Sequence, residues 1–396
     1  MSLLLTVTGR DHPGVTAALL DVLSRHGASI TDVEQVVVHG RLLLGVVIAG
    51  AGDGAEIRAE LTATAGGLDV DIEFTPLDDA EPVPAVRHHV VVLGAPLPPA
   101  ALAGITRRVA ACGANIERVV RLSSWPAQSF ELLVSGGATD RLRIELAAEA
   151  VAQRVDVAIE RASIYRRARR LVVLDVDSTL VQGEVIEMLA AEAGCEAEVA
   201  RVTDAAMSGR LDFEASLRAR VALLEGLDVE AVDRVRAAVR LAPGARTLVR
   251  TLKRLGYAVG IVSGGFTAVT DDLVNELGLD HAMANVLEVV DGRLTGQVLG
   301  EVVDRAGKAT ALRRFAELEG LRPEQTVAIG DGANDLDMLA AAGLGIAFNA
   351  KPVVREAADA ALSVPFLDAV LFLLGISREE VEAADALAPS VAYPTA

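Results

Sequence analysis

The stretch that most constrains the fold of this chain is 171–181, with the sequence LVVLDVDSTLV. Four apolar residues lead directly into Asp175, Asp177 and a Ser-Thr pair, a pattern that predicts a buried strand ending in an acidic loop. In open α/β sheets, ligands lie beyond the carboxyl ends of the parallel strands, so we expect both aspartates to be catalytic. An Asx-turn after a strand would explain the same residues without any function.

Two later segments repeat the pattern of an apolar run followed by groups suited to holding phosphate or metal. The run AVGIV at 258–262 leads into SGG, and the run TVAI at 326–329 leads into GDGAND. Lys308 lies between these segments, near a predicted helix start. Each signal alone is weak, but the four together in this order argue against a mere turn after 171–174.

This ordered set, D-x-D-x-T, then S-G-G, then Lys, then G-D-G-x-N-D, resembles the haloacid dehalogenase superfamily of aspartate-nucleophile phosphatases. The resemblance implies Mg²⁺ held by the carboxylates of Asp175 and Asp331 and by the backbone carbonyl of Asp177. Asp335 would hold a metal-bound water, and hard oxygen ligands of this kind suit the ion. Asp175 would attack phosphorus to form an aspartyl-phosphate, with Asp177 as the general acid and base.

The same resemblance assigns the phosphate contacts. Ser263, the amide of Gly264 and Lys308 would bind the phosphate oxygens, which is the electrostatic part of phosphoryl transfer. Asn334 would orient phosphate or substrate. In this superfamily, dehalogenases lack the second aspartate and transport ATPases carry Thr there, so Asp177 implies a phosphatase.

Substrate choice is expected to come from the region after the first acidic loop. Residues 184–240 are almost entirely helical in period, and an insertion here resembles the small helical cap of these phosphatases. Phe213, Leu217 and Arg220 share one helix face. An arginine on an apolar stripe suits bidentate carboxylate recognition, although an aliphatic stem packed on the core would give the same pattern.

Glu184, Met207, Phe213 and Arg220 have the spacing of the residues around the serine moiety in phosphoserine phosphatases, which this chain resembles over about 171–364. The resemblance implies that Glu184 binds the ammonium and Arg220 the carboxylate of O-phospho-L-serine, in the last step of serine biosynthesis. Two alternatives stay open. One is a phosphatase for another ester, such as phosphohomoserine or a phosphoprotein; the other is a non-catalytic amino-acid sensor.

The first 165 residues contain two copies of one unit. A shift of 86 residues places GASITDVEQVV (27–37) over GANIERVVRLS (113–123), and 42–50 over 128–136. Each copy follows the order strand, helix, strand, strand, helix, strand, which is the ferredoxin-like α+β arrangement. With DHPGVTAALLDVLSRHGASI after its first strand, the unit resembles the ACT domain, which commonly binds amino acids.

In ACT domains the effector usually meets the loop between the first strand and helix, where a glycine lets the backbone approach a carboxylate. Asp11 and Gly14 occupy this loop in the first copy. The second loop has drifted, with Gly104 repeating the Gly-Val-Thr pattern late, and Asn115 occupies a position that often contacts ligand. The resemblance implies an amino-acid effector such as serine and a homodimer through these domains. A purely structural dimerising module is the alternative.

Composition limits the other classes of partner. A net charge of −18 argues against nucleic acid, which needs a basic surface. Every apolar stretch of 18 residues is broken by charge, Gly or Pro, and the start of the chain lacks the features of a signal peptide. We therefore expect a cytoplasmic protein without a membrane partner, with Cys112 and Cys195 reduced.

A length of 396 residues predicts two or three domains. The fold class expected is α/β, a C-terminal Rossmann-like parallel sheet with a helical cap insertion, preceded by two ferredoxin-like α+β domains. Strands near 258–262, 281–285, 326–330 and 344–348 would complete the sheet, with a hairpin turned at Asp291-Gly292. The predicted limits are ACT-like domains at 1–80 and 86–165, a phosphatase core at 168–183 and 241–375, a cap at 184–240, and a C-terminal helix and tail at 376–396.

Overall fold

The structure is a computed structural model that describes residues 2–49, 54–77, 86–163, 168, 170–207 and 211–387. At Met207 it describes the backbone and not the side chain. The chain divides into two compact units, Met1–Pro84 and Ala85–Ala396. Within the described ranges, no helix has the length and apolar composition that a membrane crossing requires.

The first unit is a four-stranded antiparallel sheet with two helices. Its elements are β1 (Ser2–Arg10), α1 (Val15–Arg25), β2 (Ser29–Val38), β3 (Arg41–Ala49), α2 (Ala55–Gly67) and β4 (Val70–Leu77). The strands lie in the order β2-β3-β1-β4. Alternate residues of β1, including Leu5 and Val7, are buried against Leu19 and Leu61 of the helices, as the two-residue period of a strand requires. The predicted element order is therefore confirmed.

The second copy of the repeat has the same topology. Its elements are β5 (Arg87–Gly94), α3 (Pro99–Ala111), β6 (Ala114–Ser123), β7 (Gln128–Gly136), α4 (Thr139–Gln153) and β8 (Asp156–Arg161). These strands lie in the order β8-β5-β7-β6, which corresponds strand for strand to β4-β1-β3-β2 of the first copy. The internal repeat seen in the sequence is thus a repeat of the fold.

The C-terminal part is built on a mainly parallel sheet. Its strands are β9 (Leu171–Leu174), β10 (Ala258–Phe266), β11 (His281–Val290), β12 (Arg293–Leu299), β13 (Thr326–Gly330), β14 (Leu344–Phe348) and β15 (Ala360–Leu362). They lie in the order β12-β11-β10-β9-β13-β14-β15. Val172 and Leu174 of β9 belong to one hydrophobic cluster, and Leu171 and Val173 belong to another. Both faces of the sheet are therefore covered, which explains the continuous apolar runs.

Eleven helices accompany this sheet in the described ranges. They are α5 (Val185–Ala193), α6 (Glu196–Met207), α7 (Phe213–Ala222), α8 (Val229–Ala238), α9 (Ala245–Arg254), α10 (Thr267–Leu277), α11 (Arg305–Leu318), α12 (Leu336–Ala341), α13 (Pro352–Ala357), α14 (Val370–Leu373) and α15 (Arg378–Leu387). Helices α5 to α8 lie between β9 and α9, where a helical insertion was expected. The hairpin between β11 and β12 turns at Asp291 (φ 50°) and Gly292 (φ 77°), as predicted. β11 is longer than predicted because it continues from the parallel sheet into this hairpin.

One feature of the sheet was not predicted. β15 pairs antiparallel with β8 through Ala360 and Ala158, so the second copy of the repeat and the C-terminal part share a sheet of eleven strands. At the junction of these two parts, the buried Asp156 accepts a hydrogen bond from the Ser363 amide at 2.6 Å and pairs with Arg355 at 3.4 Å. Burial raises the pKa of Asp156, and these donors oppose that rise.

Candidate active site

The motifs found in the sequence meet at the carboxyl edge of the parallel sheet. β9 lies between β10 and β13, and Leu174 is in register with Ile261 and Ile329. The chain segments after these strands therefore leave the sheet side by side. They surround a cavity of about 550 Å³, which the helices α5, α6 and α7 also line.

Asp175 is held so that one carboxylate oxygen stays available. Its amide donates to the Ile329 carbonyl at 2.8 Å, which ties it to the end of β13. Its Oδ1 accepts hydrogen bonds from the Val176 amide at 2.8 Å and from Lys308 Nζ at 2.7 Å. No donor in the described ranges reaches Oδ2 of this buried residue. The arrangement fixes the carboxylate and leaves one oxygen for a reacting group.

Lys308 is a buried cation between two carboxylates. It is the fourth residue of α11, a helix capped by Asp304, whose side chain accepts from the Gly307 amide at 2.7 Å. Lys308 Nζ donates to Asp175 and Asp335, at 2.7 Å in both cases. Burial works to lower the pKa of Lys308, but the two negative charges outweigh it and raise the pKa. The ammonium group therefore stays charged.

Three carboxylates form a cluster whose chemistry fits a divalent cation. Oxygens of Asp175, Asp331 and Asp335 lie within 4.8 Å of one another. Burial and, after it, the charge of Asp335 raise the pKa of Asp331 to about 6, although Thr179 donates to it at 2.9 Å. Lys308 balances only part of this negative charge. Hard oxygen ligands with an excess of negative charge are what Mg²⁺ prefers.

Asp177 lies in the turn Val176–Leu180 that follows β9. Its Oδ1 accepts from the Val185 amide at 2.8 Å, and its Oδ2 accepts from the Ser263 hydroxyl at 3.3 Å. Burial raises the pKa of Asp177, and the Val185 hydrogen bond opposes this effect. A raised pKa suits a carboxyl group that must hold and release a proton near neutral pH.

The Ser-Gly-Gly segment at the end of β10 packs tightly against Asp177. The Gly265 amide donates to Ser263 Oγ at 2.7 Å, and a Cβ on Gly265 would lie 2.8 Å from Asp177 Oδ2. Only glycine leaves room for this approach. Asn285 supports the segment, because its Nδ2 donates to the Gly264 carbonyl at 2.8 Å and its Oδ1 accepts from the Val303 amide at 2.8 Å.

The cap side of the cavity carries an acid and a guanidinium. Ser178, in the left-handed region at φ 58°, donates its hydroxyl to Glu184 at 3.0 Å. Burial and the nearby charge of Asp177 raise the pKa of Glu184 to about 7. Burial lowers the pKa of Arg220 in α7, while the charge of Glu184 opposes it. A half-buried carboxyl group and a half-buried guanidinium that face one cavity match the two charged groups of an α-amino acid.

Most of the residues selected from the sequence come together in this cavity. Its lining includes Asp175, Asp177, Glu184, Phe213, Arg220, Gly264, Lys308, Asp331 and Asn334. Ser263 and Asp335 join them through hydrogen bonds to Asp177 and Lys308. The side chain of Met207 lies outside the described part of the chain.

Sequence reasoning missed several contributors to the cavity. Thr179 and Ser178 lie inside the D-x-D-S-T motif, and this position in the motif could have identified them as site residues. Asn285 is one polar residue within a strand, and nothing in its sequence context marks it. Lys351 also lines the cavity, and it follows an apolar run, as the predicted site residues do.

The candidate effector residues are placed differently in the two copies of the repeat. Asp11 lies in the loop before α1, and Gly14 caps this helix at φ 101°, as expected for a helix entry. Gly104 does not lie in the second helix-entry loop. It lies within α3, where a Cβ would overlap the Glu149 carboxylate, because this helix begins earlier, at Pro99. Asn115 is exposed in β6.

The parallel sheet, its cap insertion and the acidic site at its carboxyl edge define the class of protein, a haloacid dehalogenase-like hydrolase. The model of that family matches residues 172–340, and ACT domain models match residues 1–75 and 86–160. The fold class expected from the sequence is thereby confirmed.

Full-length relatives narrow the class. The chain is 59% identical over 390 residues to a phosphoserine phosphatase of Streptomyces coelicolor, covering 98% of this chain and 95% of that one. It is 52% identical to phosphoserine phosphatase SerB2 of Mycobacterium tuberculosis, covering 98% and 96%. A solved phosphoserine phosphatase, described as a phospho-aspartyl intermediate analogue, is 45% identical, covers 52% of this chain and 98% of that chain, and superposes with a TM-score of 0.50. The chain belongs to the phosphoserine phosphatase family and is an enzyme of its hydrolase class.

Proposed function

We propose that this enzyme is a Mg²⁺-dependent phosphoserine phosphatase, which hydrolyses O-phospho-L-serine to L-serine and phosphate through an aspartyl-phosphate intermediate. The observation that carries the proposal is that groups suited to phosphoryl transfer and groups suited to binding an amino acid line the same cavity. Asp175 and Lys308 lie at its sheet edge, and Glu184 and Arg220 lie on its cap side. The relatives that share nearly the full length are phosphoserine phosphatases, which supports the same substrate.

Asp175 is proposed as the nucleophile. Its Oδ2 attacks phosphorus while the bond from phosphorus to the serine oxygen breaks, and Asp177 gives its proton to that oxygen. In the second step Asp177, now ionised, takes a proton from a water molecule that attacks the phosphorus. This step restores the Asp175 carboxylate and releases phosphate. The solved relative described as a phospho-aspartyl intermediate analogue supports this route.

Mg²⁺ is proposed to be held by the carboxylates of Asp175 and Asp331, by the backbone carbonyl of Asp177 and, through water, by Asp335. When bound it supplies positive charge that offsets the repulsion between a carboxylate and a phosphate dianion. Lys308 keeps the Asp175 carboxylate in place and, through its remaining N–H, would bind the phosphate oxygens together with Ser263 and the Gly264 amide.

The remaining site roles divide between the two ends of the substrate. Glu184, ionised above a pH of about 7, pairs with the substrate ammonium, and Arg220 pairs with its carboxylate. Phe213 packs against the serine portion, the sequence spacing of Met207 assigns it to the same portion of the substrate, and Asn334 orients the phosphate. Discrimination between esters then rests on leaving these half-buried charges unpaired when the wrong ester binds.

The N-terminal half is proposed to regulate the enzyme. Two ACT domains at about 1–80 and 86–165 would bind an amino acid such as serine, with Asp11, Gly14 and Asn115 as candidate contacts, and would form a homodimer. The core at 168–183 and 241–375 and the cap at 184–240 would form the catalytic part. Substitution of Gly14 in the full chain should then weaken any effect of serine on activity.

The decisive experiment measures hydrolysis of a panel of phosphate monoesters with Mg²⁺ and after chelation. We expect phosphoserine to exceed phosphoglycolate, phosphoethanolamine and phosphohomoserine in kcat/KM by about tenfold or more, since each lacks or misplaces a charged group. Chelation should abolish turnover.

Asp175→Asn should lower kcat by roughly 10³-fold or more while the variant stays folded. Equal rates on phosphoserine and phosphoglycolate would overturn the assignment of the substrate, and a kcat of Asp175→Asn close to that of the wild type would overturn the assignment of the nucleophile.

A further inference from the structure

Lys351 lies on the active-site cavity and has no role in the mechanism described above. It stands between β14 and α13, at the same carboxyl edge of the sheet as Asp331, because β14 pairs in parallel with β13. Its carbonyl oxygen accepts hydrogen bonds from the Val354 amide at 3.0 Å and the Arg355 amide at 3.1 Å. Val354 is fully buried, so the backbone of Lys351 is anchored, while its side chain is exposed.

Lysine is rare in this chain. Among 37 Lys and Arg residues, only Lys253, Lys308 and Lys351 are lysines. Lys253 pairs with Asp280 at 2.5 Å, and Lys308 is bonded to two carboxylates. Lys351 has neither an ion pair nor a side-chain hydrogen bond in the ranges that the structure describes. Two of the three lysines thus line one cavity. Of these two, Lys351 has an ammonium without a hydrogen-bond or ion-pair partner among the described residues.

The charge balance of the cavity suggests a role for the Lys351 ammonium. Five carboxylates and three cations line the cavity, an excess of two formal negative charges, in a chain with a net charge of −18. A phosphate monoester near neutral pH carries about two negative charges on its phosphate. Such a substrate is repelled by the protein as a whole, and the proposed Mg²⁺ would bring the formal charge of the cavity lining only to zero. A cation at the solvent side of a cleft counteracts this by raising the local concentration of the anion.

We propose that Lys351 is a further substrate-binding residue, which attracts the phosphate dianion at the entrance of the cavity and adds a cation to the bound phosphate. The proposal rests on the proposed function, since it assumes a phosphate ester as substrate. The chemistry of the side chain suits the task. An ammonium is a compact charge on a flexible stem and can follow a phosphate group, whereas a guanidinium binds in a fixed fork. Lys308 cannot move in this way, because its ammonium donates hydrogen bonds to both Asp175 and Asp335.

Kinetics at several salt concentrations test the electrostatic part. Lys351→Met should lower kcat/KM for phosphoserine about tenfold at about 20 mM salt and by much less at about 500 mM, because salt screens exposed charges. Its kcat should fall far less than its kcat/KM. Lys351→Arg should recover most of the loss, and Lys253→Met, which removes a lysine outside the cavity, should behave as wild type. A loss that is independent of salt, or that Lys351→Arg shares in full, would overturn the proposal.

Chemical labelling of the wild-type enzyme tests binding without turnover. An amine-reactive acylating reagent should modify Lys351 readily and the buried Lys308 hardly at all, as read by peptide mass spectrometry. Inorganic phosphate with Mg²⁺ should slow the labelling of Lys351 about tenfold or more at a concentration about ten times its Kd, and should leave Lys253 unchanged. Equal labelling of Lys351 with and without phosphate would overturn the proposal. If phosphate protects Lys351 but phosphoserine is not hydrolysed, the proposed function fails and the role of Lys351 stands.

Discussion

Glu184 shows how burial sets a working pH at the level of one residue. Its pKa of about 7 means that the free enzyme holds a proton on Glu184 below that pH. A neutral carboxyl group attracts the substrate ammonium less than a carboxylate does. We therefore expect KM for phosphoserine to rise as the pH falls through about 7, and Glu184→Gln to show a raised KM with little change across this range. Steady-state kinetics from about pH 6 to about pH 9 measure both effects.

A substrate without an ammonium group provides the control for Glu184. Phosphoglycolate keeps the phosphate and the carboxylate, so ionised Glu184 gives it no favourable contact. Its KM should not rise as the pH falls through about 7. A parallel rise for both esters would assign the pH effect to another group and contradict the role of Glu184.

At the scale of elements, Asn285 connects three segments around the Ser-Gly-Gly segment at the end of β10. It lies in β11, and it bonds the end of β10 at Gly264 and the chain before α11 at Val303. Asn285→Leu should leave a buried carbonyl and a buried amide unpaired, at a cost of about 1–3 kcal/mol for each. We expect a lower denaturation midpoint and a reduced kcat/KM, because the Ser-Gly-Gly segment loses its support.

Thr270 supplies the matched control for Asn285. Its hydroxyl, in α10, is buried and has no partner in the described residues. Thr270→Val should therefore leave stability unchanged or slightly raised, since an unpaired polar group is removed. Urea denaturation of the two variants side by side measures the difference. If both lose stability equally, the two hydrogen bonds of Asn285 are not what supports the loop.

The sequence predicted the elements whose signal is local. The central strands were found because each is a continuous apolar run followed by Asp or Ser, and the repeat was found because its two copies still align. β15 was missed because three residues, Ala-Ala-Leu, carry no period. Asn285 was missed because its partners are backbone atoms brought near it only by the fold. Lys351 follows the apolar strand β14 and could have been found by the same rule that found Asp331.

Gly104 illustrates a different limit. Its Gly-Ile-Thr sequence resembles the Gly-Val-Thr of the first helix entry, and from the pattern alone it was placed at the corresponding loop. In the structure the glycine is inside α3 and makes room for Glu149, which accepts a hydrogen bond from Arg108 at 3.0 Å. A glycine that permits close packing and a glycine that permits a turn look alike in a sequence.

At the scale of the second unit, Asp156 connects the second ACT domain to the wall of the active site. It pairs with Arg355 in α13, and the residues at the start of this helix line the cavity. Asp156→Ala should leave the Ser363 amide and the Arg355 guanidinium without their buried acceptor, at a cost of about 1–3 kcal/mol. We also expect a raised KM, because α13 positions Lys351. Denaturation curves and steady-state kinetics measure the two effects.

A neighbouring ion pair is the control for Asp156. Arg143 in α4 pairs with Asp359 at 3.4 Å across the same junction, but its side chain is half exposed. Arg143→Ala should cost less than about 1 kcal/mol, as surface pairs do. If it destabilised the enzyme as much as Asp156→Ala does, the buried acceptor would not be the special feature of this junction.

The sheet of eleven strands bears on how this enzyme can be dissected. β15 has β14 on one side and β8 on the other, so removal of residues 86–161 would uncover its backbone amide and carbonyl groups. An uncovered strand edge is a template for adding strands from other molecules. A shortened catalytic fragment would thus differ from the whole enzyme in its tendency to self-associate. Point substitutions in the full chain are the sounder way to separate the two halves.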